Sequence, residues 1–95
     1  MEYDRLVFSA HAVRRMFERG IGTDEVKSVI AEGEAIAEYP DDSPYPSRLM
    51  LRLVEGRPIH VLVALDEDDR TCVVVTVYIP ALDQWQPDFR TRREK

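Results

Sequence analysis

Cysteine is nearly absent from this 95-residue sequence, in which Cys72 is the only one. A single cysteine excludes an intramolecular disulfide and a thiolate metal cluster. Its place in the apolar run TCVVVTVYI predicts an ordinary buried thiol rather than a redox centre. The two histidines have no carboxylate or cysteine at the short spacings of known metal sites. The sequence therefore predicts neither a metal nor a cofactor.

Glycine and long hydrophobic runs are also scarce. The four glycines are scattered, so the glycine-rich loops of nucleotide-binding proteins do not occur, and a serine hydrolase elbow is missing as well. No run approaches the roughly 18 apolar residues of a membrane helix. The N-terminus MEYDRLVF is acidic where a signal peptide would be basic and then apolar. We therefore expect a cytoplasmic protein that does not contact a membrane.

Basic residues are outnumbered, since 13 Lys and Arg stand against 18 Asp and Glu, for a net charge of −5. This balance disfavours a protein that coats nucleic acid non-specifically. The charges are nevertheless segregated: acids gather in PDDSPYP and DEDDR, while VRRMFERG and RTRREK are basic. A local cationic surface remains compatible with the net charge. The length and the 44% hydrophobic content predict one domain over residues 1–95.

The first segment with helical signals lies between Ser9 and Gly20. Serine is a favoured N-cap and glycine a favoured C-terminal stop in the left-handed conformation, which together predict a helix over Ala10–Arg19. One side of this helix is expected to be its apolar face, formed by Val13, Met16 and Phe17.

A second helix is predicted from a cap at Thr23 to about Glu32, where Gly33 ends it. Acidic residues occupy its first turn, where they interact favourably with the helix dipole. Only a short GIG segment separates the two helices, so we expect a helical hairpin. The apolar stripe of the second helix comprises Val26, Val29 and Ile30.

From Glu34 the apolar residues alternate with a period of two, which predicts strands. Four such segments follow one another: AIAEY, SRLMLRLV, PIHVLVAL and TCVVVTVYI. The turns EGR and DEDDR are short, so the last three strands should form an antiparallel meander. Residues 80–95 read as an irregular or weakly helical tail. The predicted fold class is α+β, with the helical hairpin packed on a mainly antiparallel sheet of about four strands.

The alternation also assigns side chains to faces of the sheet. The apolar set Ile59, Val61, Val63, Leu65 and the set Val73, Val75, Val77, Ile79 should meet the helices. The opposite face then carries His60, with Thr76 directly across from it and Tyr78 as its diagonal neighbour. Imidazole and hydroxyl groups on one face can support proton transfer. A histidine that is simply hydrogen-bonded inside the sheet is the structural alternative.

The first helix carries a second polar group, in which His11, Arg14, Arg15 and Glu18 recur at helical spacings. Arg15 and Arg19 are like charges four residues apart, an arrangement that an anion would relieve. A solvated helix face with one weak ion pair is the alternative interpretation.

The order and spacing of four segments resemble those of domain-of-unknown-function family 4258, a group of small bacterial proteins. The segments are FSAHAVRRMFERGI, VKSVIAEGEAIAEYPDD, RPIHVLVAL and VVVTVYIPALDQW, and the similarity runs from about Phe8 to Trp85. The resemblance implies a fold akin to the RelE-like and barnase-like ribonuclease toxins, encoded beside a zinc-finger antitoxin. The family pattern falls on His11, Arg14, Arg15, Arg19, His60, Thr76 and Tyr78.

We therefore expect a toxin-like ribonuclease that works without a metal, with RNA and a zinc-finger antitoxin as partners. A base must take the proton of the ribose 2′-hydroxyl, an acid must protonate the leaving oxygen, and a cation must stabilise the phosphate. His60 is the expected base or acid and His11 its complement, Tyr78 or Thr76 is the orienting hydroxyl, and Arg14 and Arg15 form the phosphate clamp. The alternative is a non-catalytic protein-binding module that docks a partner through the first helix and the tail.

Overall fold

A computed structural model describes residues 3–94 of the chain. It is an α+β fold in which two helices cover one face of a five-stranded mixed sheet. Within the described part of the chain, no helix is long and apolar enough to cross a lipid bilayer. The elements are β1 (Arg5–Phe8), α1 (Ala10–Arg19), α2 (Thr23–Glu32), β2 (Glu34–Tyr39), β3 (Ser47–Val54), β4 (Arg57–Asp66) and β5 (Thr71–Tyr78).

The sheet has the strand order β1-β5-β4-β3-β2. The four strands from β2 to β5 are antiparallel neighbours, which confirms the meander predicted for the last three of them, β3 to β5. The expected number of strands was wrong, because β1 adds a fifth that runs parallel to β5. Its four residues, RLVF, are too few to display an alternation, and β5 lies more than 60 residues away, so no turn signals the pairing.

Helix α1 begins and ends where the sequence predicts. The Ser9 side chain accepts a hydrogen bond from the Ala12 N–H, and Gly20 ends the helix with φ +65°, a backbone conformation that favours glycine. Arg57 donates to the carbonyl oxygens of Arg19 and Gly20 at 3.2 and 3.3 Å. These carbonyls have no partner inside the helix, so Arg57 ties the end of α1 to β4.

Helix α2 starts one residue differently from the prediction. Thr23 is its first helical residue, and the N-cap is Gly22, whose N–H donates to the Glu25 carboxylate at 3.0 Å. This hydrogen bond, followed by the bond from Arg57, lowers the pKa of Glu25. At the other end Gly33 is required by close packing, because a Cβ there would lie 2.3 Å from the Val29 carbonyl oxygen.

The two helices lie against different strands: α1 packs on β5, and α2 packs on β3 and β4. The predicted apolar face of α1 was wrong in part. Met16 and Ala12 are buried, whereas Val13 and Phe17 are 53% and 90% exposed. Ala12 and Met16 are four residues apart and therefore share the face that meets β5; Val13 and Phe17 lie one position further round the helix.

The faces of β4 are those predicted, since Ile59, Val61 and Val63 are buried in the core beneath the helices. For β5 the predicted faces were wrong for the residues that precede the bulge, because Cys72 and Val74 join that core in place of Val73 and Val75. The cause is a β-bulge: Leu62 pairs with Thr76 but Val63 pairs with Val74, which leaves Val75 as an extra residue. A bulge reverses the alternation on one strand only.

The bulge also changes the register that we expected around His60. His60 lies directly opposite Tyr78, and Thr76 lies opposite Leu62. The turn between β4 and β5 is one residue shorter than assumed, because Asp66 pairs with Thr71. The bulge then adds the residue that keeps His60 and Tyr78 on the same face of the sheet.

Candidate functional site

The start of α1 is attached to the sheet at the bulge. The Ser9 N–H donates to the Val74 carbonyl oxygen at 3.0 Å, and its hydroxyl donates to the Val75 carbonyl oxygen at 2.8 Å. The same hydroxyl oxygen accepts from Ala12 and so caps the helix. Ser9 therefore fixes the first turn of α1 at the edge of β5, beyond the point where β1 ends at Phe8.

This attachment brings His11 around the sheet edge. Its Nε2 lies 3.0 Å from the hydroxyl oxygen of Thr76. Thr76 and Tyr78 are two residues apart on β5 and point to the same face, the one away from the helices. The side chain at the start of the covering helix thus reaches the opposite face, which we name the open face.

Beside this contact lies a cleft of about 540 Å³, which we name the basic cleft. It receives His11, Arg15 and Arg19 from one side of α1, at intervals of four residues, and Arg92 from the tail. The hydroxyl-bearing residues Thr76 and Tyr78 belong to its lining as well. Arg15 is in an ion pair with Glu18 at 3.2 Å, with both side chains nearly half exposed. Such an exposed pair is weak, so an anion can compete for the guanidinium.

His60 is fully buried on the open face, under the tail. Its Nδ1 lies 3.1 Å from the Tyr78 hydroxyl, and its Nε2 lies 2.7 Å from the Phe89 carbonyl oxygen. A carbonyl oxygen only accepts, so Nε2 carries the proton and donates it. In the neutral ring Nδ1 is then an acceptor, and Tyr78 donates to it.

Burial determines the protonation of this pair. It lowers the pKa of His60, an effect that the hydrogen bond to Phe89 partly opposes. Burial also raises the pKa of Tyr78, and the charge of Arg92 partly offsets that rise. Both groups are consequently held in their neutral forms near pH 7, which preserves the direction of the hydrogen bond between them.

The tail, residues 80–94, forms turns and one isolated bridge between Trp85 and Arg92. Lys95, the last residue of the predicted tail, lies outside the described residues. The Trp85 ring meets the His60 ring edge-on, with centroids 4.5 Å apart. Arg93 donates to the carbonyl oxygen of Trp85 at 3.1 Å, which holds this turn closed. Phe89 has φ +59°, a left-handed conformation that is uncommon for a bulky residue. Its carbonyl oxygen accepts the hydrogen bond from Nε2 of His60.

The structure brings together most of the residues that the sequence singled out. His11, Arg15, Arg19, Thr76 and Tyr78 line the basic cleft, whereas Arg14 does not belong to its lining. His60 is one hydrogen bond behind Tyr78 and has no surface of its own. Within residues 3–94, no group of three or more His, Cys, Asp or Glu side chains is arranged to hold a metal ion.

Two contributors to the site were not predicted from the sequence, Ser9 as the anchor and the Phe89 carbonyl as the acceptor, and Arg92 was considered only as part of the basic tail. The basic tail RTRREK was visible as a charge cluster, so Arg92 had a signal in the sequence. The Phe89 carbonyl had none, because every residue carries a main-chain acceptor.

A family model described as Domain of unknown function (DUF4258) matches residues 8–79. No curated protein and no solved structure matches the chain. The matched region contains α1, α2 and β2–β5, and with them His11, His60, Thr76 and Tyr78, while the whole tail lies outside it. The chain belongs to the DUF4258 family.

Proposed function

We propose that this protein is a toxin-like ribonuclease that cleaves RNA by acid–base chemistry, without a metal, in the basic cleft. A helical-hairpin fold of the RelE-like or barnase-like kind and a zinc-finger antitoxin as partner belong to the same proposal. The single observation that carries it is a cleft lined by one imidazole, that of His11, and by the Tyr78 hydroxyl, which is hydrogen-bonded to a second, buried imidazole. His11 is held there by Thr76, and His60 acts there through Tyr78.

Charge supports the binding of a phosphate in this cleft. Arg15, Arg19 and Arg92 supply guanidinium groups from two separate segments of the chain. Guanidinium groups form strong, charge-assisted hydrogen bonds with phosphate oxygens. They also stabilise the additional negative charge that develops when a hydroxyl attacks phosphorus. The net charge of −5 does not prevent this, because the cationic side chains are concentrated around one cleft.

The direction of the Tyr78–His60 hydrogen bond defines a route for the first proton. The ribose 2′-hydroxyl gives its proton to the Tyr78 oxygen while Tyr78 passes its own proton to Nδ1 of His60. The imidazolium that results still donates to the Phe89 carbonyl through Nε2. The oxygen of the 2′-hydroxyl forms the new bond to phosphorus, and the bond from phosphorus to the 5′-oxygen breaks.

His11 completes the reaction as the acid. In its cationic form it gives a proton to the leaving 5′-oxygen, so the products are a 2′,3′-cyclic phosphate and a free 5′-hydroxyl. In this cationic form both ring nitrogens are donors, so Nε2 donates to the Thr76 hydroxyl oxygen 3.0 Å away, which holds the ring beside the cleft. In this scheme Tyr78 and His11 contact the substrate, and His60 is a positioning residue and proton store behind Tyr78.

Tyr78→Phe tests the proposal with a minimal change, because it removes only the hydroxyl. We expect cleavage of labelled RNA in excess chelator to fall by about 10²-fold, the lower range for one proton-transfer group. Tyr45→Phe is the matched control, since Tyr45 is exposed in the loop between β2 and β3, outside the basic cleft. Equal activity of wild type and Tyr78→Phe, or no cleavage by the wild type with ribosomes present, would overturn the ribonuclease proposal.

One observation favours a second function, a non-catalytic protein-binding module. Val13 and Phe17 form an exposed apolar pair on α1, four residues apart, and Phe17 is 90% exposed. Exposed aromatic residues beside arginines are typical of protein interfaces. In that case Phe17→Ser would abolish complex formation with the product of a neighbouring gene, and Tyr78→Phe would leave it intact.

A further inference from the structure

A second cavity lies next to the basic cleft on the open face. It has a volume of about 580 Å³ and shares Thr76 and Tyr78 with the basic cleft. Volumes of about 300–1,000 Å³ are typical of sites for small molecules. The two spaces therefore form one continuous surface that meets at the hydroxyl groups of the proposed active site. We name the second space the apolar cavity.

The floor of the apolar cavity is a row of side chains across three strands. Leu49 on β3 lies opposite Leu62 on β4, which in turn lies opposite Thr76 on β5. Adjacent strands are about 4.8 Å apart, so the row leads from Thr76 to Leu49 over a distance on the order of 10 Å. Tyr39 and Pro40 form part of the wall above this floor. An apolar floor and an aromatic wall suit the flat face of a ring, because stacking and burial both stabilise it there.

Three carboxylates, those of Glu38, Asp41 and Asp42, line the rim of the apolar cavity. Glu38 is in an ion pair with Arg48 at 3.0 Å. Asp42 accepts from the Ser47 hydroxyl at 2.6 Å and from the Ser43 N–H at 3.0 Å. Within residues 3–94 no such partner contacts the exposed Asp41, so its carboxylate remains available. An ionised carboxylate only accepts hydrogen bonds, and it repels carbonyl oxygens and phosphates.

We infer that the apolar cavity is a nucleobase subsite that takes bases with an exocyclic amino group and disfavours uracil. The inference rests on the proposed function, because the basic cleft must hold the phosphate of the same nucleotide. Adenine, cytosine and guanine each present an N–H₂ group to the Asp41 carboxylate. Uracil presents carbonyl oxygens on both sides of its single N–H. The carboxylates also keep phosphate out of this cavity, which fixes the orientation of the bound nucleotide.

The test is an NMR titration of the full chain with defined probes. These are inorganic phosphate, the four nucleoside 3′-monophosphates, and the nucleosides adenosine and uridine. We expect the adenosine, cytidine and guanosine monophosphates to bind about 10-fold more tightly than the uridine monophosphate, since each adds a hydrogen bond to a charged group. Adenosine should shift the resonances of Leu49 and Leu62, whereas inorganic phosphate should shift only those of the basic cleft.

Two variants with the same change of charge locate the selectivity. Asp41→Asn should reduce the discrimination against uridine monophosphate to about twofold, because the amide offers a donor as well as an acceptor. Asp68→Asn, in the turn between β4 and β5, should leave it unchanged. If Asp41→Asn discriminated against uridine monophosphate as strongly as the wild type does, the proposed role of the Asp41 carboxylate would be overturned.

The outcomes separate this inference from the proposed function. Equal affinity for all four nucleotides, with shifts confined to the basic cleft, would overturn the subsite and leave the ribonuclease proposal standing. Selective binding of adenosine without any RNA cleavage would support the subsite and overturn the ribonuclease. No binding of any probe would overturn both.

Discussion

The two faces of the sheet differ in what covers them. On one face the helices enclose aliphatic side chains, and Ile59, Val61 and Val77 are completely excluded from solvent. On the open face the tail covers His60, while Thr76 and Tyr78 border the basic cleft and the apolar cavity. A chain of this size can bury only a limited area. One face therefore supplies the packing of the core, while the other leaves polar groups accessible for chemistry.

The largest expected effect is on stability, and it compares residues of one strand that point to opposite faces. Ile59→Ala should lower the free energy of unfolding by about 2–5 kcal/mol, because it leaves a cavity in a fully packed region. Leu62→Ala, on the open face, should lower it by about 1–2 kcal/mol, since part of that side chain already contacts solvent. Urea unfolding followed by circular dichroism measures both. Equal losses would contradict the division of roles between the faces.

The next effect is on the pH dependence of stability and arises from the one buried histidine of the open face. The pKa of His60 in the folded protein lies below its ordinary value of 6.5. Between these two values the unfolded chain binds more protons than the folded chain, so the free energy of unfolding rises with pH. Stability should thus be complete above about pH 6.5 and decrease as the pH falls below it, down to the folded pKa.

An NMR titration of the His60 ring measures this directly and needs no variant. A midpoint above pH 6.5 would show that the charged ring is stabilised, contrary to its burial. His60→Gln should remove the fall in the free energy of unfolding below about pH 6.5 that His60 causes, whereas His11→Gln should leave that fall in place.

The smallest expected effect distinguishes two neighbouring arginines of α1. Arg15 lines the basic cleft and Arg14 does not. Arg15→Gln should reduce the slope of log affinity against log salt for RNA by about 1, because one phosphate contact is lost. Arg14→Gln should leave the slope unchanged. Filter-binding measurements at several salt concentrations provide the comparison, and the opposite order would move the phosphate site to another side of α1.

The bounds of the helices and of several strands were predictable from local signals. Ser9 and Gly20 frame α1 as expected, and the segment SRLMLRLV coincides with β3. These signals are contained in a few consecutive residues, where capping and alternation act directly. The exposed position of Phe17 was not predictable in this way, because which apolar side of a helix is buried depends on the surface that it meets.

The open face depends on contacts between distant segments, and for that reason it was predicted only in outline. His60, Thr76 and Tyr78 were correctly placed on one face, but their register was wrong because the bulge at Val75 was not anticipated. The Val75 carbonyl oxygen accepts a hydrogen bond from the hydroxyl of Ser9, which lies 66 residues earlier in the chain, and no local pattern encodes such a partner. The function itself remains a proposal, since the family match carries no activity.

The hydrogen bond from His60 to the tail ends on a main-chain oxygen, that of Phe89. Residues that accept the left-handed conformation found at position 89, φ +59°, offer the same oxygen, so the contact does not need the phenyl side chain. It depends instead on the number of residues between Trp85, which covers the His60 ring, and Phe89. An insertion or deletion within residues 85–89 would therefore uncouple the imidazole from its acceptor.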